Sequence, residues 1–148
     1  RCARAAPGPG DMTLSVVLDT NIVLDVFVFD DEAARPVLPA LQAGRLQWLA
    51  TGAMREELLR VLDYPQIAPR LAFYGLRPTD VLGAFDRHAC LVDAPAKAPV
   101  TCSDPDDQKF IDLAVARQAL LLSKDRAVLS MRKRLLPWSV RAQPALDA

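Results

Sequence analysis

The chain has 148 residues, 51% of them hydrophobic, with 18 Lys+Arg against 18 Asp+Glu and a single histidine. That length supports one domain with a real core, and no apolar run approaches the roughly 18 residues a membrane span needs. The formal net charge of zero excludes a nucleic-acid binder that works by bulk charge, so any such contact must be local or mediated by metal.

Cys2, Cys90 and Cys102 are widely spaced, form no C-x-x-C pair, and have no histidine partner at zinc spacing. This argues against a Cys/His zinc site and fits a reduced, cytoplasmic compartment. His88 reads as an ordinary helix residue.

Residues 1–11 (R-C-A-R-A-A-P-G-P-G-D) lack the apolar core of a signal peptide. They read as an extension or tag remnant, with Met12 as a natural start, residues 12–144 as the domain and 145–148 as a tail. Val16–Leu18 is a short apolar run with branched residues, suited to a strand buried on both faces. It ends abruptly in Asp19-Thr20-Asn21. In open α/β sheets, ligands bind just beyond the carboxyl ends of strands. Asp19 is therefore either a site residue or the N-cap of the helix formed by the apolar residues after Asn21. Asp30 and Asp31 are expected to open a second helix reaching Ala43, stopped by Gly44. Gln47–Ala50 reads as the second strand.

Thr51 then caps a helix over Gly52–Leu62, whose apolar face is Met54, Leu58, Val61 and Leu62. A short helix over Gln66–Tyr74 closes at Gly75. Thr79 is expected to cap a further helix through Ala89, followed by a brief strand at Leu91-Val92. Residues 94–100 (A-P-A-K-A-P-V) form a proline-rich connector. Asp104 starts the clearest helix, with Pro105 at its first position, where a missing N–H costs nothing. Leu120–Ser123 is a buried strand ending in Lys124-Asp125, the same strand-then-acid pattern as the opening. Val128–Leu135 reads as one basic helix, and Trp138–Val140 as a last strand. Strands alternating with helices predict an α/β fold, a three-layer α/β/α sandwich around a mainly parallel sheet.

The acids recur at strand ends and first turns: Asp19, the cluster Asp104, Asp106 and Asp107, and Asp125. Asp104 and Asp107 share a helix face at a spacing of three, while Asp106 points elsewhere. One of Glu56 and Glu57 leans toward the sheet's end, and spacing alone leaves open which. Carboxylates gathered in one pocket raise each other's pKa and need a cation. Hard oxygen ligands without Cys or His select Mg²⁺ or Mn²⁺, and such a site suits phosphoryl chemistry with metal-activated water. Each piece also has a structural explanation: D-P-D-D is a good helix start, Glu56 and Glu57 a solvated face, Asp125 a cap.

Four stretches, V-V-L-D-T-N at Val16–Asn21, E-E-L-L-R-V-L at Glu56–Leu62, S-D-P-D-D-Q-K-F at Ser103–Phe110 and L-L-S-K-D at Leu121–Asp125, resemble the PIN-domain family, in particular its bacterial toxin–antitoxin branch. The resemblance implies a Mg²⁺- or Mn²⁺-dependent endoribonuclease. By position it assigns Asp19, Glu57, Asp107 and Asp125 as the four acids, with Asp104 beside Asp107 and Thr20 or Asn21 supporting Asp19. Asp19, Asp107 and Asp125 would hold metal. It further implies an RNA substrate, a cognate antitoxin and a homodimer. Two positions depart from the pattern: Ala127 stands where many relatives carry another acid, and Lys124 where they often have Gly, bringing an ammonium near the pocket. Arg126, Arg132, Lys133 and Arg134 offer a local basic strip for RNA phosphates or a solvated helix face.

The alternative reading is an inactive scaffold of the same fold that binds protein or RNA. A haloacid-dehalogenase-type phosphatase would need an Asp where Asn21 stands. A response-regulator receiver would need a different loop after Leu91-Val92-Asp93.

Overall fold

A computed structural model describes residues 13–146 of the chain. The expected extension at 1–11, the start at Met12 and the final two residues lie outside the described residues. Five parallel strands form one sheet in the order β3-β2-β1-β4-β5. They are β1 (Leu14–Leu18), β2 (Leu46–Ala50), β3 (Ala89–Leu91), β4 (Leu120–Leu122) and β5 (Ala142–Gln143). Helices flank the sheet, giving the three-layer α/β sandwich that the alternation of elements predicts.

Why β1 sits in the middle follows from its sequence. Val16, Val17 and Leu18 are almost wholly buried, so both faces must be covered. β4 is equally apolar, with Leu120, Leu121 and Leu122 all buried, and it pairs with β1 at Val16↔Leu120, Val17↔Leu121 and Leu18↔Leu122. On the other side, Val16 stands opposite Trp48 of β2. The strand order reverses between β1 and β4: successive strands step outward one way to β3, then the chain returns to add β4 and β5. Ligands are expected in the crevice that such a reversal opens beyond the strand ends.

The first half carries α1 (Thr20–Phe27), α2 (Val37–Gln42), α3 (Gly52–Leu62), α4 (Ala68–Phe73) and α5 (Pro78–His88). α3 has the expected bounds, and buries Met54, Leu58 and Leu62. The second half carries α6 (Gln108–Arg117), α7 (Arg126–Leu129) and α8 (Arg132–Leu135). α6 packs on β1 and β4 with Phe110, Ile111, Leu113 and Ala114 buried. The right-handed rule for crossovers between parallel strands, applied in opposite directions from the centre, assigns these two sets to opposite faces of the sheet.

Several boundaries differ from expectation: the strand expected at Leu91-Val92 runs over Ala89–Leu91, the short helix expected over Gln66–Tyr74 covers Ala68–Phe73, and the helix expected from Asp104 begins as the 3-10 turn Pro105–Asp107 before α6. The second helix is split into a 3-10 turn at Glu32–Ala34 and α2, because Pro36 cannot supply the N–H that would continue it. Asp30, expected to open it, lies in the left-handed region (φ 48°) and pairs with Arg35 instead. α5 starts before Thr79: Pro78 occupies its first position, and Asp80 accepts a hydrogen bond from the Arg77 backbone N–H at 2.8 Å. The basic helix is broken into α7 and α8 around Ser130-Met131, where Met131 is buried. The last strand is not at Trp138–Val140. Leu136–Trp138 forms a 3-10 turn, Ser139 takes a left-handed conformation (φ 62°), and pairing begins only at Ala142. Gly44 and Gly75 stop their helices as expected, both at positive φ (78° and 71°).

The proline-rich connector has no regular structure, yet it is fastened to α6. The Ala98 N–H donates to Asp112 Oδ1 (2.8 Å), the Cys102 N–H donates to Gln108 Oε1 (2.7 Å), and Gln108 Nε2 donates to the Val100 carbonyl (3.0 Å). These bonds fix the approach of the D-P-D-D segment to the sheet.

Candidate metal centre

Three of the proposed acids converge. Each of Asp19, Asp107 and Asp125 offers a carboxylate oxygen, and these oxygens all lie within 4.8 Å of one another. Asp19 follows β1, Asp125 follows β4, and Asp107 ends the 3-10 turn Pro105–Asp107 that leads into α6. The cluster therefore occupies the crevice at the reversal of strand order, beyond the ends of β1 and β4.

Asp19 is only 4% exposed. Its backbone carbonyl starts α1 by accepting from Ile22 and Val23, but its side chain makes no capping bond, which leaves the carboxylate to the pocket. Ser123 Oγ donates to Asp19 Oδ2 at 2.6 Å. The same Ser123 oxygen accepts from the Asp125 N–H at 3.0 Å, so one buried hydroxyl orients two of the three acids. Burial pushes the Asp19 carboxyl above its usual range; the Ser123 hydrogen bond opposes this, and the charges of Asp125 and Glu57 add to it.

Asp107 is the most perturbed. It is 7% exposed, and its Oδ2 is buried without a donor. Loss of water is the main cause that pushes its carboxyl up to about 8, followed by the charge of Asp19 and a hydrogen bond to Asp125 that only the protonated form can donate. A buried oxygen with no donor, facing two further carboxylates, is satisfied by a proton or by a cation.

Asp125 has two sets of contacts. It caps α7 by accepting from the Ala127 N–H at 2.9 Å, and it belongs to the cluster. Asp104 lies outside the group of three. It caps the 3-10 turn by accepting from the Asp106 N–H at 3.0 Å, and its charge contributes to raising Asp107. Asp106 is exposed, as its spacing predicts.

Of the two glutamates, Glu57 faces inward and Glu56 is exposed. Glu57 does not join the cluster directly. Thr20 Oγ1 donates to its Oε2 at 2.5 Å, and Lys109 of α6 forms an ion pair with its Oε1. The Thr20 hydroxyl thus serves Glu57 rather than Asp19, and Asn21 is exposed. Lys124 is drawn away to Asp25 on α1, a buried acid for which it is the ionic partner. Ser123, Lys109 and Asp25 were not singled out by sequence reasoning. For Asp25 a signal existed: an acid on the apolar run I-V-L-D-V-F needs a partner.

Cys102 is a buried thiol contacting the Ala127 carbonyl at 3.7 Å, and burial raises its pKa. Among the basic residues, Arg132 and Lys133 line a cleft of about 580 Å³ beside β5, together with Arg141. Arg134 reaches back to the Thr101 carbonyl at 3.4 Å.

The sequence matches the PIN domain over residues 15–127. The chain belongs to the PIN-domain family. An uncharacterized protein from Methanocaldococcus jannaschii is 22% identical over 122 residues, covering 80% of this chain and 76% of that protein. Among solved structures, the PIN chain resembles one in the crystal structure of VapBC2 from Rickettsia felis bound to a DNA fragment from their promoter. The TM-score is 0.58 at 14% identity, over 87% of this chain and 98% of that one. This likeness concerns the fold.

The donor set fits a divalent ion. It is all oxygen, it is clustered, and it includes a buried oxygen that the protein leaves without a donor.

Proposed function

We propose that this PIN-domain protein is a Mg²⁺- or Mn²⁺-dependent endoribonuclease and the toxin of a toxin–antitoxin pair. The observation that carries the reading is the convergence of Asp19, Asp107 and Asp125 at the reversal of strand order, with Asp107 Oδ2 buried and lacking a donor. Family membership supports the same reading.

Asp19, Asp107 and Asp125 would hold the ion. When bound, the ion supplies Lewis-acid activation of water and neutralises charge on a phosphodiester. The remaining work falls to the chain. Ser123 holds Asp19 and the Asp125 backbone in place, so the donors are set before an ion arrives. Glu57, clamped by Thr20 and Lys109, places a fourth carboxylate beside the pocket without crowding it. Asp104 holds the turn that presents Asp107. Without an ion the pocket repels a phosphodiester, which makes cleavage conditional on metal. Arg132 and Lys133, lining the cleft beside β5, offer local cations for RNA phosphates.

The structural neighbour comes from VapBC2, and that supports a partner protein for this chain. A homodimer is part of the same proposal. Incubation with RNA in Mg²⁺ or Mn²⁺, wild type against Asp19→Asn, tests the activity. Equal cleavage by the two proteins removes the mechanism and leaves the scaffold reading.

A further inference from the structure

Lys109 stands out among the cations near the cluster because of what it touches. Its ammonium lies on Glu57 Oε1, while Thr20 occupies Oε2 of the same carboxylate. Both oxygens of the fourth acid are therefore engaged by the protein itself. The pair is well shielded, with side-chain exposures of 25% for Lys109 and 18% for Glu57. Lys109 is also held from its own side: its ammonium donates to the Asp106 carbonyl, and it lies 5.0 Å from the centre of the Phe110 ring. It follows Asp107 by only two residues, so the segment that delivers the central metal acid also delivers the ammonium.

Two-ion sites for phosphoryl transfer need carboxylates shared between ions about 4 Å apart. Here three acids are grouped closely enough for one ion, and the acid that would bind a second already carries a positive charge. The net charge favours the same arrangement. One ammonium and one divalent ion nearly balance Asp19, Glu57, Asp107 and Asp125. A second divalent ion beside Lys109 would meet repulsion at close range.

We infer that Lys109 is a built-in second cation, which occupies Glu57 and restricts the centre to a single divalent ion. The inference rests on the metal-dependent reading of the site. Lys109 is a positioning residue: it fixes Glu57 and excludes an ion, and it need not touch substrate.

The test counts ions rather than activity. Mn²⁺ binding to the full chain is measured by electron paramagnetic resonance of the free ion, for wild type, Lys109→Gln and the double variant Lys109→Gln/Glu57→Gln. The expected stoichiometry is one Mn²⁺ for wild type, two for Lys109→Gln, and one again for the double variant. Any second ion on wild type should bind at least about tenfold more weakly than on Lys109→Gln, given the repulsion between close like charges. Two equivalent ions on wild type would overturn the inference while leaving the metal-dependent reading intact. So would a Lys109→Gln protein that still binds one ion. Absence of Mn²⁺ binding to wild type would remove both. The wild-type count alone decides the first case, independently of how the variants fold.

Discussion

Two buried acids on this molecule face the same physical problem and meet it differently. On α1, Asp25 is 6% exposed, and the ammonium of Lys124 closes over it. At the ends of β1 and β4, Asp107 is 7% exposed and sits among like charges with no ion pair; each of the two acids keeps a buried Oδ2 outside any hydrogen bond, but only that of Asp25 faces an ammonium. In the first region the chain supplies its own counter-charge. In the second it withholds one and tolerates a carboxyl whose pKa rises to about 8. A fold that gives Asp25 an ammonium but leaves Asp19 and Asp107 clustered without one marks that cluster as the place for an external cation.

Breaking the unbalanced region should have the largest effect. Asp19→Asn removes a charged donor from the centre and should lower metal-dependent RNA cleavage by about 100-fold or more, since even residues that merely orient ligands are worth 10- to 100-fold. Cleavage assays at matched Mg²⁺ check this. Breaking the balanced region should instead cost stability. Lys124→Met leaves Asp25 buried without its partner and should destabilise the fold by about 2 kcal/mol, a value kept low because Lys124 is half exposed. Urea unfolding measures it, and Asp25→Leu/Lys124→Met should recover much of the loss.

Ser123→Ala sharpens the comparison by loosening the centre while keeping its charge. It frees Asp19 Oδ2 and the Asp125 N–H, so Mn²⁺ affinity should fall by about tenfold, read by titration calorimetry. The smallest effect is on pH dependence. The folded-state pKa of Asp107 is raised, so the folded protein holds its proton more tightly than the unfolded chain does. That contribution is complete below the ordinary carboxylate pKa and is lost as pH rises through about 8. In chelator, Tm should therefore fall by a few degrees between about pH 5 and pH 9. Asp107→Asn should flatten the slope, as should saturating Mg²⁺.

The central strands were legible because burial on both faces leaves a mark in composition: Val16–Leu18 and Leu120–Leu122 carry no polar residue. α3 was legible because its apolar spacing runs unbroken over three turns. The outer edge was not. β5 is two residues long, its Ala142-Gln143 pair with β4 by backbone bonds that any sequence can make, and the more strand-like Trp138–Val140 beside it is diverted by Pro137 and Ser139. The site shows the same division. The acids announced themselves by following strands, whereas their partners did not. Nothing local relates Lys109 to Glu57 or Ser123 to Asp19, because those contacts exist only after the sheet has assembled. Glu57 over Glu56 rested on family resemblance, and the geometry gives its reason: only Glu57 lies within reach of both Thr20 and Lys109.

The Ser123–Asp19 hydrogen bond joins residues 104 positions apart, across the strands that lie together at the middle of the sheet. During synthesis Asp19 leaves the ribosome 104 residues before Ser123 exists. Until β4 docks beside β1 there is no competent centre, whatever helices have already formed. On the proposed nuclease reading, a chain ending before residue 120 would be harmless to RNA, so the order of assembly would itself delay activity until β4 has been made.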